Sequence, residues 1–585
     1  MSKQHYNTDE RNVQIVLALL KAHGIKRVIA SPGTTNMTFV ESVQNDPWFQ
    51  VWSSVDERSA AYLACGMASE TGEPVVISCT GATASRNYMS GLTEAYYRKL
   101  PVLAITSTRG NHKVGHLMDQ QIDRRSLPND IAMESVTIPI VKDSDDEKYC
   151  EIEANKAILA LKLNGGGPAH INMYSKYSRG FGVVNIPPVR CINRYTEHDE
   201  LPELPSKGRI AVFVGAHQPF SDSQLKAIET FCATNNAVVF TERTSGYNGK
   251  YACMFNIVAM QKVYTSPLVN VELLINIGEV NSGLYKLNAK IVWRVSPDGV
   301  LRDPWENLRD VFMMPEEVFF NHYSKEGANQ TEYIDACNEE LNKFINMCPE
   351  LPFGNVWLAQ QSCSRIPAGS KFHMGIYNSL RSWSFFPINK GVDTRCNVGG
   401  FGIDGGLSTM VGSSLVRPDV MHYGVFGDLA FFYDMNVLGN RHLGKNLRII
   451  LVNNSCGTEF KNYGHPAYFL GDDANQFIAA CGHYGNKSPE LVKHYVTDLG
   501  FEYMSASTKE EYMSVVDRFF TPEDVGHPML LEVFTDKENE SESLKIMFHL
   551  EDGSIVDRAK YAVKESLSKA LSPETKTLVK KIIGK

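Results

Sequence analysis

Short apolar runs alternate with amphipathic segments along most of the chain. Residues 13–22 carry apolar side chains at helical spacing, which predicts an amphipathic helix. The runs at 27–30, 74–78 and 101–105 are mostly apolar, as expected for strands that are covered on both faces of a parallel sheet. Strands and helices in alternation predict α/β domains with parallel sheets.

The alternation predicts three consecutive doubly wound parallel-sheet domains, so the expected fold class is α/β. The first domain covers residues 1–185 and is followed by a proline-rich, charged linker at 186–205. A Rossmann-like second domain follows to about residue 345, but it lacks G-x-G-x-x-G, so dinucleotide binding is disfavoured. The third domain covers 346–540, and a lysine-rich helical extension is predicted at 541–585.

Two strand ends in the third domain carry candidate chemistry. The run 421–426 leads into Gly427-Asp428-Leu429, and the run 448–452 leads into Asn453-Asn454. Taken separately, a Gly-Asp and an Asn-Asn are ordinary turns. Ligands of open α/β sheets bind beyond the carboxyl ends of the strands, and carboxylate, amide and carbonyl oxygens suit Mg²⁺ or Ca²⁺. The ordered pair therefore predicts a site for a divalent cation.

Composition and charge exclude several classes of protein. The chain has 585 residues, a net charge of −8 and ordinary apolar content, so we expect no nucleic-acid partner. It has no apolar run of the ~20 residues that cross a bilayer, so we expect no membrane partner. The twelve cysteines include no Cys-x-x-Cys pair, so neither a zinc ribbon nor a disulfide framework is expected. These features predict a soluble, cytoplasmic enzyme.

A set of ordered motifs makes the chain resemble the thiamine diphosphate (ThDP) enzyme superfamily, over nearly its whole length. Among the branches of that superfamily, it looks most like SEPHCHC synthase, the carboligase of menaquinone biosynthesis. The motifs that carry this resemblance are Ser31-Pro32-Gly33, Asp56-Glu57-Arg58, Cys79-Thr80-Gly81-Ala82-Thr83-Ala84, Asp119-Gln120-Gln121-Ile122, Gly166-Gly167-Pro168-Ala169-His170-Ile171-Asn172, Gly402-Ile403-Asp404-Gly405-Gly406-Leu407-Ser408-Thr409, Gly427-Asp428-Leu429 and Tyr433-Asp434-Met435-Asn436.

The resemblance implies pyrimidine-binding, central and diphosphate-binding domains, with ThDP and Mg²⁺ as cofactors. It assigns the metal to Asp428, Asn454 and the backbone carbonyl of Cys456, whose thiol would not be reactive. It assigns Glu57 to the hydrogen bond with the aminopyrimidine ring that activates the cofactor, although an acid that starts a helix is common without such a role. The other cofactor-binding residues that it implies are Gly81, Ala82, Ser379, Ile403, Gly427, Leu429 and Thr458.

The resemblance also implies a homo-oligomer, either a dimer or a dimer of dimers, because the cofactor site lies between the first domain of one subunit and the third of another. The donor would be a small 2-oxo acid and the acceptor a carbonyl compound. Arg109 and Gln120 persist as polar residues on the substrate side, and with Glu57 they are the candidate catalytic residues. His112, His116 and Tyr433 are candidates for acceptor handling, with surface roles equally open.

The chain departs from the SEPHCHC synthase pattern where that enzyme holds two polyanions, 2-oxoglutarate and isochorismate. Expected cations are replaced by Thr34, Leu284-Tyr285, Trp383 and Val398, although Arg381 is close enough to Trp383 to substitute. Each charged hydrogen bond contributes about 1.5–3 kcal/mol, so these losses predict a less anionic substrate set. A simple 2-oxo acid decarboxylase and a non-catalytic homologue remain alternatives to the carboligase.

Overall fold

The structure, a computed structural model, describes residues 6–124, 127–283, 285–483 and 488–551. Its strands are β1 (Arg27–Ala30), β2 (Gln50–Ser53), β3 (Val75–Cys79), β4 (Val102–Thr108), β5 (Glu134–Ile138), β6 (Ala169–Tyr174), β7 (Asn193–Thr196), β8 (Ile210–Val214), β9 (Val238–Thr241), β10 (Ala252–Cys253), β11 (Asn270–Ile277), β12 (Asn288–Val295), β13 (Leu308–Met313), β14 (Lys371–Met374), β15 (Asp393–Cys396), β16 (His422–Gly427), β17 (Leu447–Asn453), β18 (Glu502–Ala506) and β19 (Met529–Phe534).

The α-helices of these residues are α1 (Arg11–Ala22), α2 (Met37–Asn45), α3 (Glu57–Thr71), α4 (Thr83–Asn87), α5 (Met89–Tyr97), α6 (Ser144–Ala160), α7 (Asp222–Asn235), α8 (Asn256–Ala259), α9 (Glu316–His322), α10 (Glu332–Asn346), α11 (Asn355–Ser362), α12 (Asn378–Trp383), α13 (Gly406–Val416), α14 (Asp428–Asp434), α15 (Leu491–Asp498), α16 (Lys509–Phe519) and α17 (Lys537–Met547). None of these helices is both long enough and apolar enough to span a bilayer.

The first sheet is parallel throughout, in the order β2-β1-β3-β4-β6-β5. Successive side chains of a strand point to opposite faces, and the two faces are covered by different helices. Val28 and Val76 pack with α1, α2 and α6, whereas Ile29 and Ile77 pack with α3 and α5. The apolar runs of the sequence are therefore strands that are buried on both sides, as predicted.

The second sheet is parallel in the pairs β8–β9, β9–β10, β8–β11 and β7–β13. The described residues fall into two compact units. The first lies within Met1–Leu201 and Trp293–Met314, and the second lies within Pro202–Val292 and Pro315–Lys585. Strands β7 and β13 belong to the first unit. The prediction that 186–205 is only a linker is wrong, because Tyr195 of β7 stacks on Phe312 of β13 with ring centroids 5.5 Å apart. Strand β7 is polar, so the pattern of apolar residues does not predict it.

The third sheet is parallel in the order β15-β14-β16-β17-β19-β18. Leu447, Ile449 and Leu451 of β17 pack against α13 and α14 in one apolar cluster. The fold class is confirmed: three parallel sheets with interspersed helices. Helix α17 is the last described helix, and residues 552–585 of the predicted extension lie outside the described residues.

Candidate functional site

The predicted strand-end pair lies on two neighbouring strands. β16 and β17 are parallel partners, with Gly427 opposite Val452. Asp428 follows β16 directly as the first residue of α14, and Asn454 follows the last residue of β17. The carboxyl ends of the two strands therefore bring both polar side chains to the same edge of the sheet, as the sequence predicted.

The Asp428 side chain is buried, with 4% of its surface exposed. Its Oδ1 accepts a 2.7 Å hydrogen bond from the Leu429 backbone N–H. Burial raises the pKa of this carboxyl to about 6, opposed by hydrogen bonds from the backbone of Leu429, Ser455 and Cys456. Asp428 is thus anionic at neutral pH and lies against the backbone that follows Asn454.

Asn454 presents an amide oxygen that has no hydrogen-bond partner. Its Nδ2 donates to Thr458 Oγ1 over 3.2 Å, whereas its Oδ1 is buried and unpaired among the described residues. An unsatisfied buried acceptor costs about 1–3 kcal/mol, and a cation would remove that cost. With the Asp428 carboxylate and the nearby Cys456 backbone, this oxygen fits a hard divalent cation that keeps phosphate and water ligands.

The described residues contain no cluster of three His, Cys, Asp or Glu side chains that could hold a metal. The candidate metal set contains one such side chain, Asp428, because its other members are the Asn454 amide and the Cys456 backbone carbonyl. It is the ligand chemistry of Mg²⁺ rather than that of zinc.

A cavity of about 430 Å³ opens at this edge of the sheet, within the range of small-molecule sites. It is lined by eight of the residues that the resemblance assigned: Ser379, Ile403, Gly427, Asp428, Leu429, Asn454, Cys456 and Thr458. The structure therefore brings together the predicted metal ligands and most of the predicted cofactor residues. No lysine or arginine is among the described residues that line the cavity.

Several lining residues were missed by sequence reasoning, among them Tyr377, Phe401, Glu459 and His465. Glu459 accepts two hydrogen bonds from Arg381, at 2.7 and 2.8 Å. Burial opposes ionisation of Glu459, but the pKa of its carboxyl is lowered overall because Arg381 outweighs burial. Arg381, which the sequence offered as a substitute carboxylate anchor, is therefore already committed to a carboxylate of its own chain.

Two buried carboxylates hold the two asparagines of the strand-end pair. Glu532 accepts a 2.8 Å hydrogen bond from Asn453 Nδ2. Glu540, at the start of α17, is fully buried and accepts hydrogen bonds from the Asn355 backbone at 3.0 and 3.1 Å and from the Thr535 hydroxyl at 2.9 Å. The Asn454 side chain lies near enough to help lower the pKa of this carboxyl against the effect of burial. Burial raises the pKa of Glu540 to about 7. No sequence pattern indicates Glu540, which lies far from Asn454 along the chain.

Glu57 is the first residue of α3 and is half-buried within the first unit. Asp56 caps the helix by accepting a 3.0 Å hydrogen bond from the Ser59 backbone, so Glu57 is not needed as the cap. Asn87 Nδ2 lies 3.5 Å from Glu57 Oε2. Small residues on α3 allow the backbone of α5 to approach closely, because a Cβ built on Gly91 of α5 would lie 2.4 Å from Ala61 Cβ.

Gly81 and Ala82 form the turn between β3 and α4, also in the first unit. The Gly81 N–H donates to Thr35 Oγ1 over 3.3 Å. Ala82 has a φ of 58°, a left-handed value that residues with a Cβ seldom adopt and that is often found at functional sites. The turn is a tight one, as expected for a small-residue segment.

Arg109 is paired with a carboxylate, like Arg381. Its guanidinium meets both Asp119 oxygens, at 3.0 and 3.3 Å, and its Nε donates to the Tyr177 hydroxyl over 2.8 Å. Gln120 is exposed in the same loop, with a φ of 57°. The structure thus places Arg109 beside the loop that carries Gln120, with most of its donors used within the chain. His112, His116 and Tyr433 are exposed.

One pair of cysteines forms a disulfide, although the sequence pattern indicates no disulfide framework. Cys456 is disulfide-bonded to Cys481, 25 residues further along the chain, and the other ten cysteines are free. The sequence pattern could not indicate this bond, because the pair has no motif spacing and is brought together by the loop after β17. The backbone carbonyl of Cys456 remains a candidate metal ligand.

The disulfide predicts a difference in thiol count. Alkylation of the denatured oxidised protein should label ten cysteines, and alkylation after reduction should label twelve. Intact-mass spectrometry measures both counts, and peptide mapping should recover Cys456 and Cys481 linked in the first sample. Twelve labelled thiols without reductant would contradict the bond.

Residues 11–127 match the family described as "Thiamine pyrophosphate enzyme, N-terminal TPP binding domain", a segment that includes Glu57, Gly81 and Ala82. The chain is also similar to proteins described as 2-succinyl-5-enolpyruvyl-6-hydroxy-3-cyclohexene-1-carboxylate synthase. It is 29% identical to the one from Phocaeicola vulgatus, over 93% of this chain and 98% of the relative. It is 28% identical to that of Bacteroides thetaiotaomicron (93% and 99%) and 25% identical to that of Christiangramia forsetii (91% and 97%).

Proposed function

We propose that this chain, which belongs to the thiamine diphosphate enzyme superfamily and is similar to its SEPHCHC synthase branch, decarboxylates a 2-oxo acid and transfers the remaining acyl unit to a carbonyl acceptor. The observation that carries the proposal is the cavity at the ends of β16 and β17, where eight assigned residues meet. Bound ThDP supplies the electron sink for loss of CO₂ and for attack on the acceptor.

We assign the diphosphate half of ThDP, with Mg²⁺, to this cavity. Asp428 supplies a carboxylate and Asn454 an amide oxygen that lacks another partner. Neither lysine nor arginine lines the described cavity, so the phosphate charge is offset by the metal and by the N-terminus of α14. Ile403 lines the same cavity and is the apolar side chain against which a bent cofactor would pack.

Glu57 is the proposed proton-handling residue. Its carboxyl is held at the start of α3 beside Asn87, and Asp56 takes over the capping of the helix. The carboxyl is therefore not used as the helix cap, and it is proposed to share a proton with a ring nitrogen of the cofactor. Gly81 and Ala82 are proposed to line the pyrimidine side, where a small, left-handed turn lets a ring approach the backbone.

A homodimer is the proposed minimum unit. Several large apolar side chains near Glu57 in the sequence are exposed: Val55 is 79% exposed, and Tyr62 and Leu63 are each 48% exposed. Exposed apolar side chains that lie together are typical of protein interfaces. A second copy is the proposed occupant, because the resemblance places Glu57 of one subunit at the cofactor of another. Sedimentation of the holoprotein as a monomer at micromolar concentration would oppose the dimer.

The substrate pair is proposed to be less anionic than that of SEPHCHC synthase. Arg109 and Arg381 are paired with Asp119 and Glu459, so neither retains the free fork that binds a carboxylate. Trp383 and Val398, which stand where cations were expected, are buried. Tyr285 is buried with its hydroxyl donating to the Thr241 carbonyl, and Leu284 lies outside the described residues.

The test is a screen of 2-oxo acids by the Mg²⁺–ThDP holoenzyme, with CO₂ release and products measured with and without carbonyl acceptors. Monocarboxylates such as pyruvate and branched 2-oxo acids are expected to react faster than 2-oxoglutarate. Aldehyde product that does not change with acceptor would identify a simple decarboxylase. Turnover of 2-oxoglutarate with isochorismate would overturn the substrate proposal, and failure to bind ThDP in calorimetry would overturn the cofactor proposal.

Glu540 is predicted to position Asn454. In Glu540→Gln, the amide can turn an N–H toward Asn454, so the orientation of Asn454 Oδ1 is lost. Residues that orient metal ligands typically affect metal affinity by about 10–100-fold. We expect a weakening of that size in Mg²⁺ affinity, with kcat restored at saturating Mg²⁺. Glu532→Gln is the matched control, since Glu532 holds the neighbouring Asn453. Equal effects in both variants would assign Glu540 a purely structural role.

A further inference from the structure

An arginine in the first unit is buried, and the described residues provide no partner for its charge. Arg124 is 4% exposed, and its Nε, Nη1 and Nη2 atoms all lack a hydrogen-bond partner among the described residues. Its guanidinium lies beneath the Gly81 turn, because a Cβ built on Gly81 would lie 3.4 Å from both Nη atoms. Buried cations are otherwise paired, so this guanidinium indicates a ligand.

A small cavity adjoins this guanidinium. It is lined by Arg124 together with Ser85, Arg86, Tyr88, Met89, Leu92, Ala104, Thr106, Leu127, Ile131 and His170, a set without a carboxylate. Its volume of about 10 Å³ suits one particle of about the size of a water molecule. A phosphate or an organic carboxylate is too large for it.

The electrostatics of the cavity are positive. Burial lowers the pKa of Arg124 to about 10, which still leaves the guanidinium charged at neutral pH. Arg86, also on the cavity wall, donates to the Asp123 backbone carbonyl over 2.9 Å and brings no counter-charge.

Two other titratable neighbours of Arg124, His170 and Cys79, are neutral at neutral pH. Burial, assisted by the Arg124 charge, lowers the pKa of His170 to about 3, and both ring nitrogens of His170 are hydrogen-bonded, to Thr106 and Ser135 at 2.8 and 2.9 Å. Burial raises the pKa of the Cys79 thiol to about 12. Among the described residues that line the cavity, none therefore supplies the negative charge that Arg124 requires.

We propose that this cavity is a binding site for a small monovalent anion of the size of chloride, held by the Arg124 guanidinium. A water molecule could fill the space and accept a hydrogen bond, but it would leave the buried charge uncompensated. An anion satisfies both the donors and the charge. Because Arg124 lies under the Gly81 turn, an anion that holds the guanidinium in place would also stabilise the conformation of that turn.

Bromide substitution tests the site directly. Crystals of the full-length protein grown in chloride and transferred to bromide should show an anomalous peak within hydrogen-bond distance of the Arg124 guanidinium. A water molecule refined at that position, with no anomalous signal, would overturn the proposal. The experiment does not depend on enzymatic activity, so its outcome is independent of the proposed function.

Thermal unfolding gives a second measurement in solution. Replacing gluconate by chloride at constant ionic strength should raise the melting temperature of the parent saturably, by about 2–4 °C. Arg124→Met should lose this response. Arg98→Met, which removes an exposed arginine paired with Glu94, should retain it. An equal chloride response in the parent and in Arg124→Met would refute the site, and if Arg124→Met does not fold, the bromide experiment decides.

Discussion

Glu57→Gln is expected to lower the rate of CO₂ release by about 10²- to 10⁴-fold while ThDP still binds. The amide has nearly the size and shape of the carboxyl, but it cannot take up or share a proton with the cofactor ring. The local structure should persist, because Asp56 caps α3 and the Ala60–Ala61 face packs without Glu57. Steady-state kinetics with the best 2-oxo acid measures the rate, and calorimetry with Mg²⁺ measures ThDP affinity.

The matched control for this variant is Glu70→Gln, at the exposed end of the same helix. It makes the same chemical change and should leave both rate and affinity unchanged. Full activity in Glu57→Gln would remove the proposed mechanism. Equal losses in rate and in ThDP binding would instead assign Glu57 to cofactor retention, without a separate proton-handling role.

The buried strands and the polar residues that follow them could be predicted from short segments of the sequence. Apolar runs predicted β1, β3, β4 and β17 because strands buried on both faces must be apolar throughout. Asp428 and Asn454 were readable because each closes such a strand, and parallel strands bring their carboxyl ends together. Both inferences need only short segments of sequence and a rule about sheets.

What the sequence could not provide are contacts made by distant segments. Glu540 meets Asn454 only because α17 returns to the start of α11, and Arg381 meets Glu459 across 78 residues of chain. The Arg381 pairing shows the consequence: sequence position offered a substitute substrate anchor, whereas the structure shows that its charge is already used. The polar strand β7 and the Cys456–Cys481 bond were missed for the same reason. Strand β7 forms because it pairs with β13, and the bond forms because the fold brings the two cysteines together.

The paired arginines also change how the substrate pocket is understood. In the sequence, the departures from the SEPHCHC synthase pattern are losses of cations. In the structure, the two cations that persist are neutralised by Asp119 and Glu459. Bidentate pairs occupy the planar fork through which arginine recognises carboxylates. Each of the two candidate anchors is thus already paired within its own unit, so the described residues offer fewer free carboxylate anchors than the count of missing arginines alone indicates.

Asp428→Asn is expected to weaken Mg²⁺ binding but to increase the stability of the metal-free protein. Loss of the carboxylate should weaken Mg²⁺ binding in the presence of ThDP by more than about 100-fold, since even residues that only orient ligands affect affinity by about 10–100-fold. Without the metal, the same change should stabilise the fold. Burial raises the pKa of Asp428 from 3.8 to about 6, so ionisation of this carboxyl at neutral pH costs stability that a neutral amide does not lose.

That cost is about 1–3 kcal/mol at neutral pH, because each pKa unit corresponds to about 1.4 kcal/mol. The metal-free parent should regain this stability as the pH falls from 7 through 6 toward 4, because Asp428 then takes up a proton in the folded state. The melting temperature of Asp428→Asn should therefore exceed that of the parent at pH 7, by a margin that narrows at pH 5. Scanning calorimetry with EDTA measures both values.

Asp434→Asn is the control from the far end of the same helix. Asp434 is a buried carboxylate that accepts a 2.6 Å hydrogen bond from the Ser408 backbone, so its loss should lower stability and leave Mg²⁺ affinity unchanged. If Asp428→Asn bound Mg²⁺ within a few-fold of the parent, the metal would have to be held elsewhere. A stabilised protein that can no longer bind Mg²⁺ would show that Asp428 is retained for the cofactor at the expense of the fold.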